Sequence, residues 1–379
     1  MALRILHCHS TFSLGGKEAR AVRLMNAFGD KAEHVILSAM PGQLGARDAI
    51  ERNVTIAFPD DAPPLTGAPT PLRLWRLARY MRGFDLVLTY NWGAFDAVMA
   101  RRLFAKMLKL PPLVHHEDGF NEDEAERLNP RRNLYRRLGL GAAFRLVVPS
   151  ERLQRIAREA WKAAALRIPN GVPVARFAQP PQAGAIPGFE RQPGEVVIGT
   201  VAGLRAVKNL PRLVRAFALM AHKPARLVIV GEGPESERIA AEARARGVAA
   251  RLLMPGFLSD PARWIGHFDI FALSSDSEQF PISLIEAMAA GLPAVATQVG
   301  DVPAIVSDDN RPLIVEPADE GAFAAALDSL ADRPDLRRAI GLANRERAAS
   351  SFDENAMIAH YGRLYGEAIG RPDAFIAAA

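Results

Sequence analysis

The chain has 379 residues, of which 49% are hydrophobic and only one, Cys8, is a cysteine. This length predicts two domains, and a lone cysteine excludes both an internal disulfide and a multi-cysteine metal site, so Cys8 is expected to be a small core residue. The net charge of +5 is uneven, since residues 1–175 carry +9 and residues 176–379 carry −4, which predicts an anionic partner for the first half. No apolar run is long enough to span a bilayer, and the first residues lack the apolar stretch of a signal peptide, so we expect a cytoplasmic protein.

Short apolar runs alternate with longer helical patterns along the whole chain, as in parallel α/β domains. A turn cluster at 169–173 and a stretch rich in Pro, Gly and Ala at 179–194 divide the chain. We therefore predict two Rossmann-like, doubly wound domains, residues 1–175 and residues 176–352, with helical patterns at 334–349 and 354–369 near the end. The expected strands are Leu3–His7, His34–Ser38, Val54–Phe58, Asp85–Thr89, Leu113–His116 and Arg145–Val148 in the first half, and Val196–Val201, Leu227–Val230, Arg251–Met254, Ile270–Leu273, Ala294–Thr297 and Leu313–Val315 in the second.

A Gly-Gly loop follows the first expected strand, with Gly15 and Gly16 directly before a helical pattern. Glycines at this point let the backbone approach a phosphate, and the start of a helix supplies N–H donors. The spacing is not G-x-G-x-x-G, so the dinucleotide fingerprint is absent. Glycine pairs at such turns are also common for steric reasons alone.

Two histidines and two acidic residues stand at the end of the strand Leu113–His116. Neighbouring residues on a strand point to opposite faces, so His115 and His116 do not easily share a metal ion. One histidine is expected to pack or to bond the backbone, and the other to contact substrate hydroxyls. The polar, acidic segment 116–130 predicts a loop beside this position.

The loop Gly203–Asn209 follows the first strand of the second half and carries two cations. Arg205 and Lys208 are three positions apart at a strand exit, where both side chains can neutralise a diphosphate. The alternative is a pair of surface cations. The turns Val230–Pro234 and Pro255–Phe257 end the next two strands, and either suits a planar ring or is an ordinary strand–helix turn.

Glu278 and Glu286 lie eight positions apart, the first after a strand and the second on the helix that follows. In a doubly wound sheet both carboxylates would face one crevice, and N–H groups at the helix start could hold an anion. Two glutamates near a helix start also suit the helix dipole.

The pattern Leu72–Met81 alternates apolar residues with Arg73, Arg76 and Arg79. Such a surface suits anionic lipid headgroups, whereas the alternative is an amphipathic helix that packs on its own sheet. Further basic residues in the same half are Arg101, Arg102, Lys106, Lys109, Arg131, Arg132, Arg136 and Arg137.

Taken together, these motifs resemble the retaining glycosyltransferases of family 4 (glycosyl transferases group 1). These enzymes have the α/β GT-B fold, in which two Rossmann-like doubly wound domains face each other across a cleft. The resemblance covers nearly the whole chain, and its most specific part is Glu278-x7-Glu286 in the setting Glu278–Val306. The Gly-Gly loop, Ile168–Val172, the Arg205 and Lys208 pair and Val230–Pro234 follow in the order usual for the family.

The resemblance implies a role for each motif. Glu278 is expected at the hydroxyls of the donor sugar and Glu286 at the nucleotide ribose, while Arg205 and Lys208 bind the departing diphosphate. Attack and departure then share one face of the sugar, and the leaving phosphate oxygen takes the acceptor's proton. No divalent metal is expected, because cations and N–H groups stabilise the leaving charge. The other implied donor-binding residues are Gly16, Gly203, Gly231, Phe257, Phe280, Ile282 and Ser283.

The chain also departs from the family pattern. Gln279 and Pro281 stand where glycines are usual, and Pro281 removes an N–H donor. The family motif G-G-V-P-E reads G-D-V-P-A here, from Gly300 onwards. The cleft histidine of the family corresponds to His116 in one register and to Asp118 in another, so both are candidate acceptor-binding residues.

The implied function is transfer of a hexose from a UDP- or GDP-linked sugar to a saccharide or a polyprenyl-diphosphate-linked saccharide in cell-surface polysaccharide biosynthesis. No cofactor and no nucleic acid is expected, peripheral contact with the anionic inner membrane is anticipated, and a C-terminal helix, residues 353–379, is expected to pack back on the first domain. One alternative is a nucleotide-sugar 2-epimerase of the same fold, which lacks the Glu-x7-Glu context. Another is a non-enzymatic binder of anionic polymer, which the acidic second half disfavours.

Overall fold

The computed structural model describes residues 2–13, 15–120, 124, 128–222 and 224–375. The chain divides into two compact units, which are Met1–Asn170 together with Asn355–Ala379, and Gly171–Glu354. Each unit is built on its own parallel sheet. The predicted loop at 116–130 falls partly outside the described residues.

The sheet of the first unit contains seven parallel strands in the order β3-β2-β1-β4-β5-β6-β7 within the described residues. Its strands are β1 (Leu3–His9), β2 (Ala32–Ser38), β3 (Thr55–Ala57), β4 (Leu86–Tyr90), β5 (Leu113–His116), β6 (Arg145–Val148) and β7 (Ala165–Arg167). The helices between them are α1 (Gly16–Phe28), α2 (Pro71–Met81), α3 (Phe95–Leu108), α4 (Pro130–Gly139) and α5 (Glu151–Glu159).

Local sequence explains where several of these helices begin. Thr70 and Asn129 accept backbone N–H bonds at the starts of α2 and α4, and each is followed by a proline in the first turn. Proline is favoured there because the first N–H groups of a helix have no intrahelical partner. Ser150 caps α5 in the same way.

The sheet of the second unit contains six parallel strands in the order β10-β9-β8-β11-β12-β13 within the described residues. Its strands are β8 (Val196–Val201), β9 (Ala225–Val230), β10 (Leu252–Gly256), β11 (Ile270–Leu273), β12 (Ala294–Thr297) and β13 (Ile314–Val315). Its helices are α6 (Val174–Phe177), α7 (Leu210–Leu219), α8 (Ser236–Ala245), α9 (Ile282–Ala289), α10 (Val302–Ile305), α11 (Glu320–Ala331) and α12 (Pro334–Ser351).

The last helix, α13 (Glu354–Ala368), belongs to the core of the first unit. Met357, Tyr361 and Tyr365 of this helix are buried in one cluster with strand residues such as Ile5 and Ile36. The chain therefore completes its first core only after it has built the second.

Both sheets reverse their strand order once, between β1 and β4 in the first and between β8 and β11 in the second. The loops that leave the carboxyl ends of such a strand pair diverge to opposite faces and leave a crevice, where doubly wound proteins bind their ligands. This topology confirms the predicted pair of doubly wound domains. All twelve predicted strands are present, whereas the edge strand β7 was not predicted, because its three residues form no apolar run.

Candidate functional site

Two loops meet at the point of order reversal in the second sheet, one after β8 and one after β11. The Asp276 N–H donates to the Val207 carbonyl over 2.8 Å. The Ser274 hydroxyl lies 3.1 Å from the carbonyl oxygens of both Lys208 and Asn209 and donates to them. These bonds fix the two predicted motifs against each other.

The Lys208 ammonium donates to Glu278 Oε1 over 2.5 Å, and this ion pair is the centre of the site. The Ser275 hydroxyl donates to the same carboxylate oxygen over 2.7 Å. Glu278 is 8% exposed and the Lys208 side chain is 16% exposed. Hydrogen bonds with an ionised partner are among the strong ones, and this one holds a carboxylate and a cation at the edge of the sheet.

Arg205 opens the turn that carries Lys208, whose N–H donates to the Arg205 carbonyl. Its side chain is exposed. Among the described residues, none forms an ion pair or a hydrogen bond with its guanidinium. The loop therefore presents one paired cation and one that is available to an anion.

The loops are held by residues that sequence reasoning did not select. Asn209 adopts a left-handed φ of 42°, caps α7 through Arg212 N–H and donates its amide to the Asp276 carboxylate. The Thr297 hydroxyl donates to the Ser275 carbonyl over 2.6 Å. Asn209 was recognisable, because an asparagine shortly before a proline is a helix-start signal.

Gly300 has a φ of 56°, and a Cβ built there would lie 2.0 Å from the Glu278 carbonyl oxygen. Only glycine lets the loop after β12 approach Glu278 this closely. The sequence had marked this position only as part of a family motif.

Close packing also explains one of the two predicted glycines in the neighbouring loops. Gly231 has a φ of 143°, and a Cβ there would lie 1.9 Å from the Ala202 carbonyl oxygen. Gly203 is exposed on the facing loop. The loop after β9 is thereby held against the loop after β8.

The predicted aromatic contacts differ in their surroundings. Phe257 is 59% exposed after β10, so its ring is free to meet a ligand. Phe280 instead packs against the core of the second unit, with its ring 5.8 Å from that of Phe352. Phe280 is half-buried, and its implied role in donor binding stays a prediction.

Helix α9 places the remaining predicted donor contacts. Ile282 and Ser283 are its first residues, and no side chain caps them because the preceding residue is Pro281. Glu286 is half-buried one turn later.

In the first unit, Gly16 is exposed at the start of α1, as a phosphate-binding turn requires. The Asp118 carboxylate forms a two-point ion pair with the buried Arg20. Arg20 Nη2 donates to Asp118 Oδ2 over 2.9 Å, and Arg20 Nη1 donates to Oδ1. The Asp118 N–H donates to the Asn91 side chain over 2.7 Å. The Asp118 carboxylate is therefore committed to an ion pair with Arg20.

His116 is buried, and both of its ring nitrogens have partners within the first unit. Nδ1–H donates to the Thr89 carbonyl over 3.2 Å, and the Tyr365 hydroxyl donates to Nε2 over 2.9 Å. Burial, reinforced by the charge of Arg20, lowers the pKa of His116 well below its usual value, so the ring is neutral. The His116 ring is thus bonded within the first unit, and its role as a candidate acceptor contact stays a prediction.

Three further histidines, His7, His9 and His34, are buried beside it. His7 Nε2 lies 2.9 Å from His34 Nδ1, and His9 stacks on Tyr90 with a centroid distance of 4.0 Å. Burial lowers the pKa of all three. No group of three or more His, Cys, Asp or Glu residues arranged to hold a metal ion occurs in the described ranges.

Three of the arginines that the sequence suggested for a basic surface bond groups within the first unit instead. Arg73 donates to the carbonyls of residues 64, 65, 67 and 68 and pairs with Asp96. Arg101 donates to three backbone carbonyls. Arg136 is fully buried, donates to Glu117 and Glu124, and lies 5.0–5.4 Å from three aromatic ring centroids. Arg136 is buried and Arg73 and Arg101 are half-buried, so these three cations are committed to bonds within the fold.

Two family profiles match the chain, one over most of its first half and one over most of its second half. The profile described as Glycosyltransferase Family 4 matches residues 14–176, and the profile described as Glycosyl transferases group 1 matches residues 186–347. The second match contains both Lys208 and Glu278.

This chain is also similar to individual proteins in sequence or in structure. The chain is 28% identical over 172 residues to N-acetyl-alpha-D-glucosaminyl L-malate synthase of Bacillus anthracis, covering 45% of each protein. It is 32% identical over 212 residues to D-inositol 3-phosphate glycosyltransferase of Segniliparus rotundus, covering 53% of this chain and 44% of that protein. The alignments thus span less than half the length of both relatives. The crystal structure of Anabaena HepE (Alr3699) in complex with UDP superimposes with a TM-score of 0.78 at 16% identity, covering 96% of this chain and all of that one, which shows a shared GT-B fold.

Proposed function

Because this chain belongs to the group 1 and family 4 glycosyltransferases, we propose that it transfers a hexose from a nucleoside-diphosphate sugar to a saccharide or lipid-linked saccharide, with retention of configuration and without a metal ion. The observation that carries this proposal is the Lys208–Glu278 pair at the order reversal of the second sheet. A carboxylate for sugar hydroxyls and a cation for phosphate stand together there, at the place where such sheets bind ligands.

The residues divide the work as follows. Arg205 and Lys208 bind the diphosphate and stabilise the charge that develops as it leaves. Glu278 accepts hydrogen bonds from donor sugar hydroxyls, and Glu286 accepts them from the ribose. The uncapped N–H groups at the start of α9 add donors to the same diphosphate.

The Lys208–Glu278 pair has a consequence for donor binding. A diphosphate competes with the carboxylate for the ammonium, so its arrival releases Glu278 to bind the sugar. The acid is thereby presented only when the donor is in place. UDP and GDP are the proposed carriers, and crystal structures of HepE contain UDP, UDP with glucose, and UDP-glucose.

The experiment is a thermal-shift screen over UDP-, GDP- and ADP-linked sugars, followed by turnover of the best donor. A true donor raises the melting temperature by mass action. Removing both cations, Arg205→Ala with Lys208→Ala, should abolish donor turnover, whereas Arg246→Ala, an exposed arginine of the same unit, should not. Glu278→Ala should lower kcat more than donor binding, and Glu286→Ala should raise KM for the donor. Near wild-type turnover without the two cations would refute the mechanism.

Two further measurements separate the alternatives. Product NMR with a donor of known anomeric configuration tests retention, and turnover after chelator treatment tests independence from metal. An epimerase would return an isomerised sugar or nucleotide sugar without an acceptor product, and a polymer binder would turn over no donor.

We further propose that α3 and α4 carry the surface that contacts an anionic membrane during cell-surface polysaccharide synthesis. No helix within the described residues is both long and apolar enough to cross a membrane. Large apolar side chains are nevertheless exposed on these packed helices and just after them, among exposed cations, which suits an interfacial surface. The apolar members are Leu103, Met107, Leu134, Leu138 and Phe144, and the cations are Arg102, Lys106, Arg131 and Arg137.

Vesicle sedimentation tests this surface. Binding should require anionic lipid, weaken with salt, and fall in Leu134→Asp with Leu138→Asp. Leu342→Asp, which changes an equally exposed leucine on α12, is the control and should bind as wild type. Equal binding to neutral vesicles, or no effect of the double substitution, would overturn the proposal.

A further inference from the structure

A pocket of about 350 Å³ in the first unit has no role in the donor chemistry proposed above. It is lined by the segment before α2, by Trp92 and Asp96 at the start of α3, and by Arg131, Arg132 and Tyr135 of α4. Trp92 follows the end of β4, one of the two strands between which the first sheet reverses order. The pocket therefore lies at the edge of the sheet where ligands bind, and its volume falls within the range of small-molecule sites.

Its walls are aromatic and fixed. The rings of Trp92 and Tyr135 meet edge to face, with centroids 5.7 Å apart, and both pack against Phe95. The Tyr135 hydroxyl donates to Asp96 Oδ1 over 3.1 Å. Burial and the neighbouring Asp96 carboxylate raise the pKa of Tyr135, so this hydroxyl keeps its proton. The Arg132 and Arg136 guanidinium groups also lie over Trp92, 5.3 and 5.1 Å from its ring centroid. Trp92 and Tyr135 are half-buried, and the parts of their rings that remain accessible suit the apolar face of a sugar ring.

All but one of the charged side chains that line the pocket pair with a residue of opposite charge. Asp96 is paired with Arg73, and Arg132 donates to Glu124 over 3.0 Å. Arg131 is exposed, and its guanidinium pairs with no residue that the structure describes. One positive charge thus remains at the rim, in a geometry suited to bidentate recognition of a carboxylate or a phosphate.

We infer that this pocket binds a sugar unit of the acceptor that carries an anionic group, with the ring against Trp92 and Tyr135 and the anion on Arg131. The inference rests on the proposed glycosyl transfer, which requires an acceptor, and adds the chemical class of that acceptor. The anion is either the carboxylate of a uronic acid or the phosphate of a sugar phosphate, because both present the same oxygens to the guanidinium.

The test is binding of three probes to the full-length protein by calorimetry and saturation-transfer NMR. The probes are methyl glucuronide, glucose 1-phosphate and the neutral methyl glucoside. At least one anionic probe should bind roughly tenfold more tightly than the neutral one, and Arg131→Gln should remove that advantage. Binding of the glucuronide alone assigns a carboxylate, and binding of the phosphate alone assigns a phosphate.

Arg137→Gln is the matched control, because Arg137 is an exposed arginine on the same helix that does not line the pocket. It should leave probe binding unchanged. Trp92→Phe, which keeps an aromatic ring, should weaken the anionic and neutral probes by the same factor. Equal affinity for neutral and anionic probes, or wild-type binding by Arg131→Gln, would overturn the inference.

Hydrolysis of the donor in water separates this inference from the proposed function. Arg131→Gln should hydrolyse the donor at the wild-type rate while transfer to an anionic acceptor falls roughly tenfold. If no donor is turned over but the anionic probes still bind through Arg131, the proposed function fails and the pocket assignment stands. If the donor is turned over and Arg131→Gln changes nothing, the pocket assignment alone fails.

Discussion

Acid should destabilise the first unit, and His34 shows by how much. This residue is 1% exposed on β2, and burial lowers its pKa from 6.5 to about 4. The unfolded chain therefore binds the proton more tightly than the folded one. The stability that the neutral ring confers is complete above pH 6.5 and is lost as the pH falls from 6.5 towards 4.

The size of the loss follows from the two pKa values. At pH 5 the histidine is almost fully protonated in the unfolded chain and mostly neutral in the folded one, so the free energy of unfolding falls by about 2 kcal/mol relative to neutral pH. At pH 4 the loss reaches about 3 kcal/mol by the same relation. His7, His9 and His116 also have pKa values lowered by burial and add to the loss in the same direction.

Urea unfolding at pH 7.5 and pH 5, monitored by hydrogen exchange in peptides from β1 and β2, measures the stability of this unit. His34→Gln should be less stable than wild type at pH 7.5. Its free energy of unfolding should, however, fall by about 2 kcal/mol less than that of wild type between pH 7.5 and pH 5. His360→Gln removes an exposed histidine of α13 and should show the full wild-type loss. An equal loss in wild type and His34→Gln would refute the reasoning.

Three substitutions test the supports of the two units. Gly300→Ala should lower donor turnover at least tenfold, because its Cβ meets the facing carbonyl at 2.0 Å, whereas Gly321→Ala on α11 should retain full turnover. Arg136→Met should lower the free energy of unfolding by about 3–5 kcal/mol, since it removes the guanidinium that pairs with the buried Glu117, and Arg137→Met should change it by less than about 0.5 kcal/mol in urea titrations. Asn209→Ala should lower the free energy of unfolding by about 1–2 kcal/mol in the same assay. Asn209→Gly should lower it by less, because glycine readily adopts the left-handed φ; equal losses would contradict the role of that backbone geometry.

The sequence predicted the architecture because parallel strands buried on both faces are continuous apolar runs, and these are visible without any tertiary information. The same reasoning located Lys208 and Glu278, since polar residues that directly follow such runs fall at the carboxyl edge of the sheet. Strand β7 was missed because a short edge strand needs no apolar run.

The surroundings of Arg136, His116 and Phe280 were not predictable, because their partners are distant in sequence. Arg136 looks like a surface cation until Glu117 and the rings around it are brought together by the fold. His116 stands at a strand end, where a ligand contact is expected. It is buried because Tyr365, 249 positions away, bonds its second nitrogen. Phe280 lies beside the predicted site, yet the end of α12 gives its ring a core partner.

The loops after β8, β11 and β12 form one mutually bonded block, in which Ser274, Thr297 and Gly300 each contact a neighbouring loop. Grafting a single loop from a related enzyme would leave the polar groups of the other two without their partners. Attempts to change the proposed donor preference should therefore transplant the three segments as a unit.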